Sequence, residues 1–284
     1  MLRRFDVHRV ASVAEAIALR QRYGDDASVY AGGTEILLAM KLGVARYAHL
    51  IDIKPISSLR GIAVRDGTLS IGATSTHWDL ERDATLARTI PALARLEANV
   101  ANVRVRAAGT LAGNLAFAEP HADPPSLLIA LGARVVLQGP RGARLLPVAD
   151  FISGMYQTAL AADEIVIAIE VPIPAADTRV AYVKFQILER PSVGVAAVAT
   201  VRDGRFVGAP SIVVGAVDEV ARRVPTDKVA GADARDARTH GAIAELARAA
   251  VDPIADLAGD IDYKRHLVGV FARRALASLV AEAA

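Results

Sequence analysis

Two glycine-rich segments constrain the fold of this chain more than any other feature of its sequence. Gly32-Gly33-Thr34 stands between the short apolar run Ser28-Val29-Tyr30 and an apolar segment that begins at Ile36. A glycine pair lets the backbone turn sharply and approach another group without a Cβ in the way. Gly109-Thr110-Leu111-Ala112-Gly113-Asn114 is a second small, backbone-exposing segment. Two such loops in one chain indicate two sides of one ligand site.

The ligand that suits such loops is an anion. Exposed backbone amides that lead directly into a helix bind phosphate well. Neither segment matches G-x-G-x-x-G or G-x-x-x-x-G-K-[ST], which disfavours a Rossmann or P-loop site. Each segment taken alone is more often a structural tight turn. Together they favour a diphosphate-bearing ligand that is held from two sides.

Composition excludes several classes of protein. The chain has no cysteine, so it cannot form disulfides or hold a thiolate-bound metal or iron–sulfur cluster. The net charge of +2 comes without a basic block, and no apolar run reaches the roughly 18 residues of a membrane span. The histidines show no metal-ligand spacing, and no acid–base or nucleophile pattern is present. We therefore expect a cytoplasmic protein with no nucleic-acid partner, no metal and no catalytic side chain of its own.

Hydrophobic periodicity predicts an α+β fold. Helices are expected over residues 13–23, 34–42, 77–99, 125–131, 239–250 and 263–283. Strands are expected over residues 28–30, 49–53, 62–65, 68–71, 134–137, 143–146, 164–171, 180–187, 195–201 and 211–217. Groups of strands followed by helices favour an α+β arrangement over an alternating βαβ sheet. Pro172-Ile173-Pro174 marks a domain boundary.

The ordered set of motifs resembles a known family. The segments that carry the resemblance are Ala31-Gly32-Gly33-Thr34-Glu35-Ile36, Ile71-Gly72-Ala73-Thr74-Ser75-Thr76, Gly109-Thr110-Leu111-Ala112-Gly113-Asn114 with Asp123, Tyr156-Gln157-Thr158-Ala159-Leu160, Lys184 and Tyr263-Lys264-Arg265-His266-Leu267. They look like the FAD-binding medium subunit of molybdenum hydroxylases, a family that includes xanthine dehydrogenase and carbon monoxide dehydrogenase. The resemblance spans nearly the whole chain.

The resemblance implies a vanillyl-alcohol-oxidase-type fold, also called PCMH-type. Residues 1–176 would form the FAD-binding domain, with subdomains at about 1–57 and 58–176 that hold FAD between them. Residues 177–284 would form the carbon monoxide dehydrogenase flavoprotein C-terminal domain, an antiparallel sheet with helices that covers the flavin.

The resemblance also implies a set of cofactor-binding residues. The first loop would bind the FAD diphosphate through Ala31, Gly32, Gly33, Thr34, Glu35 and Ile36. The second loop would contact the diphosphate and ribitol from the other side through Thr110, Ala112, Gly113 and Asn114. Asp123 would accept a hydrogen bond from a sugar hydroxyl, and Val100, Leu160 and Lys184 would lie near the isoalloxazine, where a lysine favours negative charge on the reduced ring.

Three of these residues have ordinary structural roles as alternatives. Asp123 precedes Pro124-Pro125 and is a good helix N-cap. Lys184 lies in an apolar strand, where a surface lysine commonly extends its ammonium to solvent. Glu35 suits the first turn of its helix through the helix dipole.

The function implied by the resemblance is electron transfer within a larger enzyme. A large molybdopterin subunit would oxidise the substrate (carbon monoxide, an aldehyde, xanthine or an N-heterocycle), and two [2Fe-2S] clusters of a small subunit would pass electrons to the FAD held here. Quinone, NAD or oxygen would be the acceptor, and the assembly would be a dimer of heterotrimers that partners can hold at the inner face of the membrane. The alternatives are a stand-alone FAD-binding module and a flavin oxidase of the same superfamily.

Overall fold

The computed structural model describes residues 2–187 and 189–281. Its helices are α1 (Val13–Tyr23), α2 (Ile36–Leu42), α3 (His77–Arg82), α4 (Ala84–Thr89), α5 (Pro91–Glu97), α6 (Val103–Ala108), α7 (Leu111–Phe117), α8 (Pro124–Ala130), α9 (Val148–Phe151), α10 (Ala237–Ala249) and α11 (Ile261–Ala281). Its strands are β1 (Asp6–Arg9), β2 (Ala27–Tyr30), β3 (His49–Asp52), β4 (Ile62–Arg65), β5 (Thr68–Gly72), β6 (Arg134–Gly139), β7 (Gly142–Pro147), β8 (Ile152–Gly154), β9 (Gln157–Thr158), β10 (Ile165–Pro172), β11 (Thr178–Gln186), β12 (Pro191–Arg202), β13 (Arg205–Phe206), β14 (Ser211–Gly215) and β15 (Arg222–Arg223).

The first sheet is small and parallel. Its strand order is β1-β3-β2, and both pairings run parallel, with α1 and α2 as the connections between successive strands. The expectation that the chain lacks alternating βαβ units is therefore wrong for this region, although the overall mixture of helices and sheets agrees with α+β. Strands of four residues give too short an alternation to reveal their direction from sequence.

The second sheet is antiparallel in each pairing given by its register, with the order β4-β5-β10-β6-β7. The predicted strands 62–65 and 68–71 pair as a hairpin across Asp66-Gly67, a dipeptide typical of such turns, and both of its residues have positive φ. The single helix expected over residues 77–99 is wrong. It is divided into α3, α4 and α5, because Asp83 caps α4 through a 2.8 Å bond from the Leu86 amide and Pro91 begins α5.

The third sheet has the order β11-β12-β14-β15 and packs against α11, which in turn packs against α10. Its buried residues form one apolar cluster with those two helices, while alternate residues of β12 and β14 such as Ala196 and Val213 join the cluster of the second sheet. The third sheet is therefore covered on both faces, and the face toward α8 is where functional side chains collect.

The helix boundaries agree with the predicted ones to within about two residues for most elements. The predicted helix 34–42 is shorter at its start, because Thr34 and Glu35 remain in the loop before Ile36. Helices α6 and α7 were not predicted. Within residues 2–187 and 189–281, none of the helices combines the length and apolar character that crossing a bilayer requires.

Candidate functional site

The first glycine loop connects β2 to α2. Gly33 has φ of +75°, and a Cβ built there would lie 3.0 Å from Tyr30 Cζ and closer to other ring atoms. Within the described part of the chain, the backbone amides of Gly32, Gly33, Thr34 and Glu35 have no protein acceptor. Four neighbouring donors without protein partners form a concave site that suits an anion.

The second loop begins with Thr110, the N-cap of α7, whose hydroxyl accepts a 3.0 Å bond from the Gly113 amide. Ala112 is buried, whereas Gly113 is exposed, so the two predicted ligand residues face different environments. The side-chain oxygen of Asn114 is buried and has no hydrogen-bond partner. Because a buried polar atom without a partner costs roughly 1–3 kcal/mol, this oxygen indicates a donor that comes from outside the chain.

The two loops meet directly. A Cβ built on Gly32 would lie 2.6 Å from Gly109 Cα and closer still to the Ala108 carbonyl oxygen. The third motif joins them, because the His77 amide donates to the Gly109 carbonyl at 3.0 Å and Thr76 pairs with Thr110. Glycine at position 32 is therefore required for the backbones to approach, and three motifs far apart in sequence meet at one place.

A buried contact between a histidine and a glutamate supports the second loop from behind. His77 and Glu97 are 2% and 0% exposed, and Glu97 Oε2 contacts His77 Nδ1. A Cβ built on Gly109 would lie 3.3 Å from His77 Cδ2, so the imidazole sits directly against the loop. His77 is therefore packed between the second loop and the Glu97 carboxylate.

Asp123 and Lys184 form a second buried pair. The Lys184 ammonium lies 3.0 Å from Oδ1 and 3.1 Å from Oδ2 of Asp123, and donates a 2.7 Å bond to the Asn99 carbonyl. Tyr182 donates a 2.7 Å bond to Asp123 Oδ1. Asp123 makes no capping bond to α8, and the Lys184 side chain is only 13% exposed. The helix-capping and surface-lysine alternatives are therefore both wrong.

The electrostatics of this pair follow from burial. Burial raises the pKa of Asp123, while the Lys184 ammonium and the Tyr182 hydroxyl oppose that rise. Burial, together with the Asp123 carboxylate, raises the pKa of Tyr182 well above its ordinary value. Tyr182 is therefore a neutral donor to Asp123 at physiological pH.

The remaining predicted residues lie around the same region. Val100 is 5% exposed and belongs to the apolar cluster of the second sheet, and Leu160 packs against that cluster from a partly buried position. Asn99, the residue before Val100, supplies the carbonyl that holds Lys184. Val100 and Leu160 thus belong to the apolar packing of the second sheet, and the Lys184 ammonium is held beside Val100 by the Asn99 carbonyl.

A second charged group, the Glu119 cluster, joins the first loop to the third sheet; it comprises Glu35, Glu119, His121, Tyr156 and Arg190. Arg190 contacts Glu119 and donates 3.1 Å bonds to both oxygens of Glu35. Glu119 accepts a 2.8 Å bond from the Tyr156 hydroxyl and lies 3.1 Å from His121 Nδ1. Glu35 is therefore the ion-pair partner of Arg190. This role is separate from any effect of its charge on the start of α2.

Burial, hydrogen bonds and charge within the Glu119 cluster shift the pKa values of its members. Burial would raise the pKa of Glu119, but hydrogen bonds from His121 and Tyr156 and the charge of Arg190 lower it to about 2. The hydrogen bond to Glu119 raises the pKa of His121 against the effect of burial. Burial and Glu119 raise the pKa of Tyr156. The cluster thus holds a carboxylate anion that is stabilised from three sides.

Sequence reasoning missed several residues that complete the site: Tyr182, Arg190, Gly194 and Glu97. One of them had a usable signal, because Tyr182 and Lys184 are two apart in a strand and so share a face. Arg190, Gly194 and Glu97 are brought in by tertiary packing and had none.

Comparison with known proteins agrees with this geometry. Residues 3–174 match the family model described as the FAD binding domain in molybdopterin dehydrogenase. The carbon monoxide dehydrogenase medium chain of Hydrogenophaga pseudoflava is 36% identical over 96% of each chain. The xanthine dehydrogenase FAD-binding subunit of Escherichia coli O157:H7 is 28% identical over 97% of this chain and 96% of that one.

Among solved structures, this chain is similar to a carbon monoxide dehydrogenase from Hydrogenophaga pseudoflava that lacks the Mo-pyranopterin moiety of the molybdenum cofactor. The TM-score is 0.95 at 35% identity, with 99% of each chain covered. These similarities confirm the predicted fold type and the predicted family.

The described residues fit FAD as a ligand. The unpartnered amides of the first loop suit its diphosphate, and the unpartnered Asn114 oxygen suits a hydroxyl or amide donor. The approach of Gly32 to Gly109 leaves no room for a Cβ, as expected where two backbones close on one ligand.

Proposed function

Because this chain belongs to the family of FAD-binding subunits of molybdenum hydroxylases, we propose that it relays electrons from [2Fe-2S] clusters of a small partner subunit, through FAD, to an external acceptor. The observation that carries the proposal is the contact of the two glycine loops, which builds one cleft from residues 31–36 and 109–114. FAD supplies the redox chemistry when bound, and the protein binds and orients it.

The first task of this chain is to hold the diphosphate. The amides of Gly32, Gly33, Thr34 and Glu35 donate to it from one side, with Ala31 and Ile36 at the ends of the loop. The second loop contributes from the other side through Thr110, Ala112, Gly113 and Asn114. There the buried side-chain oxygen of Asn114 accepts a hydrogen bond from the ligand. Backbone amides in a preformed loop lose little entropy on binding, which favours tight retention.

The second task is to set the environment of the flavin. Val100 and Leu160 exclude water from the isoalloxazine ring. Asp123 accepts a hydrogen bond from a sugar hydroxyl. Lys184 supplies positive charge, although its pairing with Asp123 offsets part of that charge. Lys184 would therefore favour negative charge on a bound flavin more weakly than an unpaired lysine would.

The third task is to meet partners. A large subunit with the molybdenum cofactor would oxidise carbon monoxide, an aldehyde, xanthine or an N-heterocycle, and the acceptor would be quinone, NAD or oxygen. The relatives are named as carbon monoxide and xanthine dehydrogenase subunits, which supports both ends of that substrate range. The absence of cysteine is consistent with clusters that reside on another chain.

Residues 1–176 would bind FAD through their two subdomains, about 1–57 and 58–176, and residues 177–284 would close over the flavin. The family match over residues 3–174 and the Asp123–Lys184 pair, which joins α8 to the third sheet, support this division.

The proposal is tested by reducing the flavin from the substrate side. The chain is purified together with the products of neighbouring genes, and the flavin absorbance is followed without oxygen after each candidate substrate is added. We expect bleaching in the complex, while the chain alone with bound FAD stays oxidised. Bleaching of the isolated chain by substrate would instead identify a self-sufficient flavin oxidase.

A further inference from the structure

Tyr182 and Lys184 lie on one face of β11, directed toward Asp123. The neighbouring strand β12 places Gly194 opposite Lys184 in the register. Both side chains of β11 reach the same carboxylate, Tyr182 at Oδ1 over 2.7 Å and Lys184 at both oxygens. One carboxylate therefore receives a neutral donor and a charged donor from the same strand.

Gly194 provides the space that the phenol occupies. A Cβ built on Gly194 would lie 3.1 Å from Tyr182 Cζ and 3.2 Å from Cε2, and closer still to the hydroxyl oxygen. Gly194 is absent from the positive-φ residues, so its backbone accepts alanine without strain. The constraint at position 194 is thus steric and is directed at the Tyr182 hydroxyl.

We propose that Tyr182 is a positioning residue of the FAD site, which fixes the Asp123 carboxylate for its ligand, and that Gly194 permits this by leaving room for the phenol. The inference rests on the proposed assignment of Asp123 and Lys184 to FAD. Nothing in the predicted set of ligand residues includes Tyr182 or Gly194.

The physical reason is a competition for Asp123. A buried carboxylate keeps its charge only when its oxygens accept enough hydrogen bonds. If the phenol is removed, Lys184 alone must hold the anion. Both the orientation of Asp123 and the charge that Lys184 presents to the ligand then change.

The first test compares Tyr182→Phe with Tyr263→Phe, a matched control at a residue of α11 that is 42% exposed. FAD affinity is measured by titrating each apoprotein with FAD and following flavin fluorescence. A hydrogen bond to a charged group is worth roughly tenfold in an equilibrium constant, so we expect about a tenfold loss for Tyr182→Phe and none for the control.

The second measurement is the pH at which FAD is released. A variant that only disturbs the structure would not shift this pH selectively, whereas a change at the Asp123 carboxylate would. The charged and titratable groups that face Asp123 are Lys184, Tyr182 and Glu97. Loss of a hydrogen bond to the ionised form raises the pKa of Asp123. Release on acidification should therefore begin at a higher pH in Tyr182→Phe than in the native chain.

The third measurement is a double-variant cycle with Gly194→Ala. In the native background the new methyl group displaces the hydroxyl, and we expect FAD affinity to fall as in Tyr182→Phe. In the Tyr182→Phe background the nearest ring contacts start at 3.1 Å, so the same change should add little. Gly241→Ala, whose Cβ meets no atom within 4 Å, is the control for the substitution itself.

The outcomes separate this inference from the proposal on which it rests. Reduced binding in Asp123→Asn and Lys184→Ala, with unchanged affinity and release pH in Tyr182→Phe, would overturn the inference alone. Unchanged binding in all of these variants would overturn the assignment of the site. Full additivity of Gly194→Ala and Tyr182→Phe would show that Gly194 does not act through the phenol.

Discussion

Replacing Gly32 by alanine is the sharpest available test of the cleft. The added methyl group would lie 2.6 Å from Gly109 Cα, about 0.8 Å inside the 3.4 Å at which ordinary contact begins. The obstructing atoms are backbone atoms of Ala108 and Gly109, which cannot rotate away as a side chain can. The two loops must therefore move apart for the variant to fold.

The free-energy cost of the added methyl group should appear mainly as weaker binding of FAD. Forcing a methyl group into a packed site costs about 1–3 kcal/mol. In the FAD-free chain the loops can separate and avoid part of that cost, whereas FAD requires them to close. Since 1.4 kcal/mol corresponds to a factor of ten, we expect FAD affinity to fall by roughly 5- to 150-fold.

The assay is a titration of apoprotein with FAD, with circular dichroism as the measure of folding. Gly241→Ala in α10 is the control, because its Cβ meets no neighbouring atom and alanine suits a helix. We expect native-like spectra for both variants and weakened FAD binding for Gly32→Ala only. Native affinity in Gly32→Ala would refute the claim that the loops close on the ligand.

Four further variants probe other parts of the site. Gly113→Val adds bulk at an exposed position of the second loop, where a Cβ already lies 2.9 Å from the Thr110 hydroxyl oxygen, so it should weaken FAD retention after gel filtration while the chain stays folded by circular dichroism; full retention would exclude the second loop. Lys184→Ala should lower the flavin midpoint potential in a redox titration, by less than an unpaired lysine would because Asp123 offsets its charge, and an unchanged or higher potential would remove Lys184 from the site. Glu119→Gln should lower stability at neutral pH, and the difference from the native chain in urea unfolding should shrink as the pH falls from about 4.5 toward about 2, because the depressed pKa of Glu119 stabilises only the ionised form. His121→Asn has the opposite sign, with its largest loss of stability below pH 6.5 and a smaller one as the pH rises through the raised pKa of His121; a pH-independent loss in either variant would contradict the ion pair.

Local signals predicted most of the fold. The Asp66-Gly67 hairpin and the long helices α10 and α11 followed from turn chemistry and periodicity, which act over a few residues. The parallel first sheet and the division of residues 77–99 did not follow. Strand direction depends on partners elsewhere in the chain, and the helix breaks depend on a cap at Asp83 and a proline at Pro91.

The site was predicted as a set of residues, without the interactions among them. The sequence motifs indicated both loops, Asp123 and Lys184, but an isolated lysine in an apolar strand gives no sign that its partner lies 61 positions earlier. The same holds for Arg190, which reaches Glu35 across 155 positions. Such pairs are set by how the third sheet packs on the rest of the chain, which no local pattern encodes.

The most direct test of the central claim is an experimental structure of the complex with FAD bound. The account predicts that the diphosphate lies within hydrogen-bond distance of the amides of Gly32, Gly33, Thr34 and Glu35, with residues 110–114 on its other side. It also predicts that Asp123 accepts a hydrogen bond from a sugar hydroxyl while it keeps the hydrogen bond from Tyr182. A diphosphate bound away from both loops, or an adenine and flavin in the reverse order relative to Lys184, would contradict it.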